Sequence, residues 1–146
     1  IYTRIHTLSL HDALPIFFDE RGEDGFRVIE RNMLHEVAEF ENIVVSCGGG
    51  TPCFFDNIDY LNQQGETVYL KCTPEVLHKH LSMGKTVRPL LLNKTPEQVK
   101  TYIEEQLQVR EPFYSKAKHT VDVTLMDNYE KIKISVAKLK ETLGIA

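Results

Sequence analysis

From residue 23 onward, short apolar runs alternate with longer stretches of helical period, and this alternation limits the fold more than any other feature. In Glu23–Phe40 the apolar residues Phe26, Ile29, Met33, Leu34 and Val37 recur at helical spacing, which predicts one amphipathic helix. Ile43–Cys47 is a β-branched apolar run and reads as a buried strand, with Cys47 as a small buried hydrophobe. A short helix is predicted over Asp56–Gln64, stopping at Gly65, followed by a second strand over Thr67–Leu70. Thr73 and Pro74 form a cap and first turn for the next helix. Ser82–Lys94, with Gly84 and Pro89, has no clean period and reads as a loop. Thr95-Pro96-Glu97 repeats the cap and opens a long helix towards Lys118. A third strand is predicted over Thr120–Thr124, and Asn128–Leu143 forms a closing helix. Strands alternating with helices give a parallel, doubly wound α/β sheet, in which ligands sit beyond the carboxyl ends of the strands.

Composition removes several function classes. The 146 residues carry 17 Lys+Arg against 21 Asp+Glu, a net charge of −4, with no basic stripe of the kind nucleic acid requires. No apolar run is long enough to span a bilayer. Cys47, Cys53 and Cys72 are odd in number and lack C-x-x-C spacing, which fits reduced thiols in a cytoplasmic protein. His78 and His80 are two apart on a helix and do not share a face, so no metal site is expected there. The segment 1–16, IYTRIHTLSLHDALPI, resembles a translated sequencing-library adapter, with Arg4-Ile5 at the variable index. On that reading the native sequence starts near Phe17 and the gene is cut on its 5′ side; the competing reading is a natural N-terminal strand.

Four places in the sequence are suited to chemistry. Gly48-Gly49-Gly50 follows the predicted strand at 43–47, where residues without a Cβ let a ligand approach the backbone; a tight turn would use glycine too. Arg27 precedes Glu30 by three positions on one helix face. An arginine held by a carboxylate is oriented for bidentate capture of a substrate carboxylate, although the same spacing serves an ordinary surface ion pair. Arg110 lies inside the long helix, followed by Glu111-Pro112-Phe113-Tyr114, a pattern that suits projection into a cleft and equally a solvated helix charge beside a packing turn. Arg88 lies in the glycine-containing loop. A loop arginine is what phosphoryl transfer uses to neutralise charge as a lid closes, and it is equally a common solubilising residue.

Taken together, Gly22–Glu30 (GE-x-GFR-x-x-E), Gly48–Gly50, Val87–Leu91 (VRPLL) and Arg110–Tyr114 (R-x-P-x-Y) resemble the shikimate kinase family in order and separation, from about Phe17 to the C-terminus. The resemblance implies a P-loop kinase fold of the nucleoside-monophosphate-kinase type. Its sheet would have five parallel strands with the phosphate-loop strand at the centre. It implies transfer of phosphate from ATP, with Mg²⁺, to the 3-hydroxyl of shikimate, in chorismate and aromatic amino-acid biosynthesis. The partners would be shikimate and ATP, with neither nucleic acid nor membrane, and the protein a cytoplasmic monomer. Carried over residue by residue, Arg27 and Arg110 would grip the shikimate carboxylate. Glu30 would orient Arg27, Gly48, Gly49 and Gly50 would line the substrate, and Arg88 would serve as catalytic, ATP-contacting lid arginine, with the lid around 82–94.

The departures are specific. No GxxxxGK[ST] occurs in the chain, so the phosphate-cradling amides, the lysine and the Mg²⁺-binding hydroxyl have no counterpart. The family's aspartate pair is not matched by Asp12 or Asp19; Leu81 stands where a second lid cation is usual, with Lys85 as a substitute. The fold expected for residues 17–146 is therefore a partial domain lacking the P-loop strand, with three strands, at least four helices, and an N-terminal segment that is strand-like or loose. Strands 43–47 and 67–70 would both miss a ladder partner. The predicted activity of the chain alone is nil. Two other readings stay open: a gluconate kinase-like small-molecule kinase, and a non-catalytic substrate-binding remnant.

Overall fold

The computed structural model describes residues 10–83, 94–124 and 128–144. Contacts divide the chain into two compact units, Ile1–Asn57 and Ile58–Ala146.

The first unit is organised by helix α1, Leu10–Ala38. Its course breaks at Gly22, where φ is 67° and ψ −175°. A side chain at Gly22 would meet nothing within 4 Å, so the left-handed backbone, and not lack of room, selects glycine there. The helix after the kink matches the sequence expectation for Glu23–Phe40, ending two residues early. Before the kink the chain is also helical from Leu10, where a strand or loose segment was expected. Leu34, 7% exposed, is the buried apolar anchor of this helix. Residues 43–47 are not a strand. They have no ladder partner among the described residues, and Val44 is 98% exposed. The expectation of a buried strand is thus overturned, and Cys47 is exposed with it. A β-branched run satisfies its backbone as a strand only when a neighbour supplies the other half of the ladder. The unit closes in a 3₁₀ turn, Thr51–Cys53.

The second unit starts within helix α2, Asn57–Gln64. Strand β1, Val68–Lys71, and strand β2, His119–Asp122, pair in parallel, with Val68 opposite His119 and Lys71 opposite Asp122. The sheet has two strands among the described residues, not the three expected. Between them run α3, Pro74–Met83, and α4, Pro96–Tyr114, which pack on each other. Both start where the sequence places them. The Thr73 Oγ1 accepts from the Val76 amide at 3.4 Å. Thr95 and Gln98 form a reciprocal capping box, with the Gln98 side chain accepting from the Thr95 amide at 2.8 Å. Helix α4 stops at Tyr114, four residues short of the expected end. Pro112 has no N–H to return to the carbonyl four residues earlier, which weakens the last turn. Ile58 and Ile103 are the buried apolar residues here. Helix α5, Tyr129–Leu143, is capped by Asn128, whose side chain accepts from the Lys131 amide at 3.0 Å.

Candidate functional site

The polar centre of the first unit is the guanidinium of Arg27. After the Gly22 kink, Glu23, Arg27 and Glu30 fall on one helix face by their spacing of four and three. Arg27 Nη1 donates to Glu30 Oε2 at 2.8 Å and Nη2 to Glu23 Oε1 at 3.1 Å. The two carboxylates are not equivalent. Glu30 is 18% exposed and Glu23 60%, so Glu30 is the partner that fixes orientation and Glu23 is the one water can replace. The guanidinium lies 4.1 Å from the Phe54 ring centroid and 5.2 Å from that of Phe26. A planar delocalised cation keeps its attraction to a ring face in a half-dry site. Burial opposes its charge, but the bonds to Glu30 and Glu23 outweigh that, so its pKa lies above the ordinary arginine value. The cation is therefore permanent, and its Nε is buried without a hydrogen-bond partner.

The glycine run is packed against this cation. A Cβ on Gly50 would sit 2.7 Å from Arg27 Nη2 and 3.0 Å from Nη1. Gly50 is thus a close approach of backbone to a protein side chain, which the sequence reading assigned to a ligand. The run is also a turn. Gly48 O accepts from the Thr51 amide at 3.1 Å and Gly50 O from the Cys53 amide at 2.9 Å. The turn reading of Gly48-Gly49-Gly50 therefore has a geometric basis.

The turn and the first residue of α2 supply two further polar side chains that periodicity did not single out. Thr51 is 4% exposed, and its hydroxyl donates to Glu30 Oε1 at 2.7 Å. Asn57 is fully buried, and its Nδ2 donates to the Thr51 carbonyl at 2.8 Å. Glu23 had a readable signal, an acid four residues before Arg27. Thr51 and Asn57 had none, because their partners are set by the path of an irregular turn.

Arg110 belongs to the second unit. It is half-buried on α4 and has no ion pair or hydrogen bond among the described residues. Its neighbour Glu111 is heavily engaged. Glu111 accepts from Lys71 Nζ at 2.5 Å and from the Tyr69 hydroxyl at 2.7 Å, and the Tyr69 ring lies 5.1 Å from that of Tyr114. The Lys71 bond, then the Tyr69 bond, hold the Glu111 carboxyl below its ordinary value. Glu111 thereby ties the end of α4 to β1 and fixes the helix turn that carries Arg110. Arg88, Lys85 and residues 84–93 of the expected lid lie outside the described residues.

No helix among the described residues is long and apolar enough to cross a membrane. The shikimate kinase family model matches residues 5–142. The shikimate kinase of Phocaeicola vulgatus is 53% identical over 134 residues, covering 92% of this chain and 77% of that protein. That of Parabacteroides distasonis is 52% identical over 116 residues, covering 80% of this chain and 67% of its own. The crystal structure of shikimate kinase from Bacteroides thetaiotaomicron superimposes with a TM-score of 0.86 at 44% identity, over 90% of this chain and 74% of that one. A match of this extent to the sequence, joined to the parallel βα architecture, settles the relationship: the chain belongs to the shikimate kinase family.

Proposed function

We propose that this chain carries the shikimate-recognition part of an ATP-dependent shikimate kinase, with Arg27 and Arg110 holding the substrate carboxylate. The observation that supports this is the state of Arg27: a permanent cation, 14% exposed, oriented by Glu30 and laid on Phe54. Such a cation is costly to maintain for stability alone, because replacing a half-buried ion pair with apolar residues is often neutral or better. It suits an anion that arrives from outside and displaces the exposed Glu23. Arg110, on a helix turn fixed through Glu111, supplies a second cation. Glycines 48–50 form the floor beside Arg27, and Arg88 is the lid residue that meets the phosphates. In the reaction of the whole enzyme the 3-hydroxyl of shikimate accepts the terminal phosphoryl group of ATP, and ADP leaves.

The residues present do not fit MgATP. The chain contains no GxxxxGK[ST], the motif whose amides, lysine and hydroxyl hold MgATP in such kinases. Phosphoryl transfer depends almost wholly on such positioning and charge neutralisation. The 146-residue polypeptide is therefore expected to give no shikimate-dependent ADP release in a coupled assay; release above a no-enzyme blank overturns this.

Recognition is tested by comparing two ligands by titration calorimetry: shikimate and its methyl ester, which keeps the ring and hydroxyls but not the charge. The ester is expected to bind about tenfold to a hundredfold more weakly, the value of one charge-assisted hydrogen bond. Equal affinity for both means that no cationic grip exists.

A further inference from the structure

Glu30 has two carboxylate oxygens, and both are used. Oε2 accepts from Arg27 Nη1 and Oε1 from the Thr51 hydroxyl, at 2.8 and 2.7 Å. An ionised carboxylate only accepts, so the hydroxyl proton of Thr51 is committed to it. Thr51 cannot turn away, since it is held at three points. Its amide donates to Gly48 O at 3.1 Å, its carbonyl accepts from Asn57 Nδ2 at 2.8 Å, and its side chain is buried. Asn57 in turn donates its backbone N–H to Phe54 O at 3.3 Å, so the residue that clamps Thr51 is also bonded to the backbone of the residue on whose ring Arg27 lies.

We propose that Thr51 and Asn57 are positioning residues for substrate recognition, acting on Arg27 through Glu30. The relay runs Asn57 to the Thr51 carbonyl, Thr51 hydroxyl to Glu30, and Glu30 to the guanidinium. A helix-face glutamate alone would leave its carboxylate free to rotate and exchange partners with water. Fixing its second oxygen from the glycine turn stops that rotation. The orientation of the guanidinium plane is then set by the turn that forms the floor of the site. Cation and floor therefore keep one relative geometry, as substrate positioning requires. This inference rests on the reading of Arg27 as the carboxylate grip.

The test uses the full 146-residue chain and two readouts. The first needs no ligand: hindered rotation of the Arg27 guanidinium, seen as resolved Nη signals in ¹⁵N-edited NMR and assigned by their loss in Arg27→Lys. The second is shikimate affinity by calorimetry, with methyl shikimate as the uncharged control. Thr51→Val keeps the shape and removes the hydroxyl. It is expected to release the rotation and to weaken shikimate binding about fivefold to tenfold, leaving the ester unchanged. Asn57→Ala is expected to act in the same direction. Thr51→Ser restores the hydroxyl and is expected to match the original chain in both readouts, which a purely packing role for Thr51 would not produce. If circular dichroism shows Thr51→Val unfolded, Thr51→Ala carries the test. Rotation still hindered in a folded variant without the hydroxyl overturns the relay. Shikimate affinity unchanged in Arg27→Ala overturns the carboxylate grip instead, and the rotation readout then judges the relay by itself.

Discussion

Arg27→Ala is expected to weaken shikimate binding about tenfold to a hundredfold, the value of a charge-assisted hydrogen bond lost from a half-dry site. The loss has two sources. The variant removes the cation that the substrate carboxylate would meet. It also leaves Glu30, 18% exposed and still fixed by Thr51, as an uncompensated negative charge facing that carboxylate. Arg27→Lys is expected to fall between the two. An ammonium keeps the charge, but it cannot bond Glu23 and Glu30 in one plane while lying on the Phe54 ring. Arg110→Ala is expected to act in the same direction, with less rearrangement, since Arg110 has no carboxylate partner among the described residues. Titration calorimetry with shikimate checks all three. If Arg27→Ala binds like the original chain, the cation serves stability alone.

What the sequence made legible follows the range of the interactions. The helix after Gly22, the caps at Thr73 and Thr95, and the pairing of Arg27 with Glu30 are local, within four residues, and each stands where the spacing puts it. The parallel sense of the sheet was legible one level up, because helices separate the strands and a crossover connection makes neighbours parallel, but the pairing of β1 with β2 was not. The segment 43–47 shows where such inference stops. Its composition is that of a strand, but a strand is a property of two segments, and the second is not among the described residues.

The site was legible in its charges and not in its supports. Glycine and arginine are conspicuous in a sequence, and Gly48–Gly50, Arg27 and Arg110 were singled out as candidates from residue type and motif order. The residues that hold them are ordinary. Thr51 lies 21 positions from Glu30, and Tyr69 lies 42 from Glu111, distances that no period spans. Glu111 illustrates the point: beside Arg110 it reads as one more helix charge, yet its bonds to Lys71 and Tyr69 join α4 to β1. Resemblance to a family pointed to the residues proposed to touch substrate; geometry was needed for those that hold them in place.

Gly50→Ala separates these two layers most sharply, and its expected result is a large loss of binding with little loss of stability. Gly50 has φ −84° and ψ −29°, a conformation any residue adopts, so alanine brings no backbone strain. It lowers the entropy of the unfolded chain instead, a gain of about 0.4–1 kcal/mol at a compatible position. The obstacle is the new Cβ, at 2.7 Å from Arg27 Nη2, 3.0 Å from Nη1 and 3.1 Å from Cζ. The guanidinium is the end of a flexible side chain and will move, but it cannot move freely. Glu30 at 2.8 Å, Glu23 at 3.1 Å and the Phe54 ring at 4.1 Å hold its other sides, so any shift lengthens or bends those bonds. Shikimate affinity is expected to fall about tenfold, since loss of an oriented charge-assisted bond carries at least that factor. The melting temperature is expected to move by only a few degrees, about 2–4 °C for each kcal/mol in a chain of this size. Gly48→Ala is the control. Its Cβ would lie 3.5 Å from Thr51 Oγ1, an ordinary contact, so it is expected to leave binding within about twofold, the scale of a few tenths of a kcal/mol. Calorimetry and thermal melting on both variants decide the matter. Equal losses from Gly48→Ala and Gly50→Ala would mean that the glycine run acts through its backbone alone. A loss confined to Gly50→Ala would mean that its third glycine is there to leave room for an arginine.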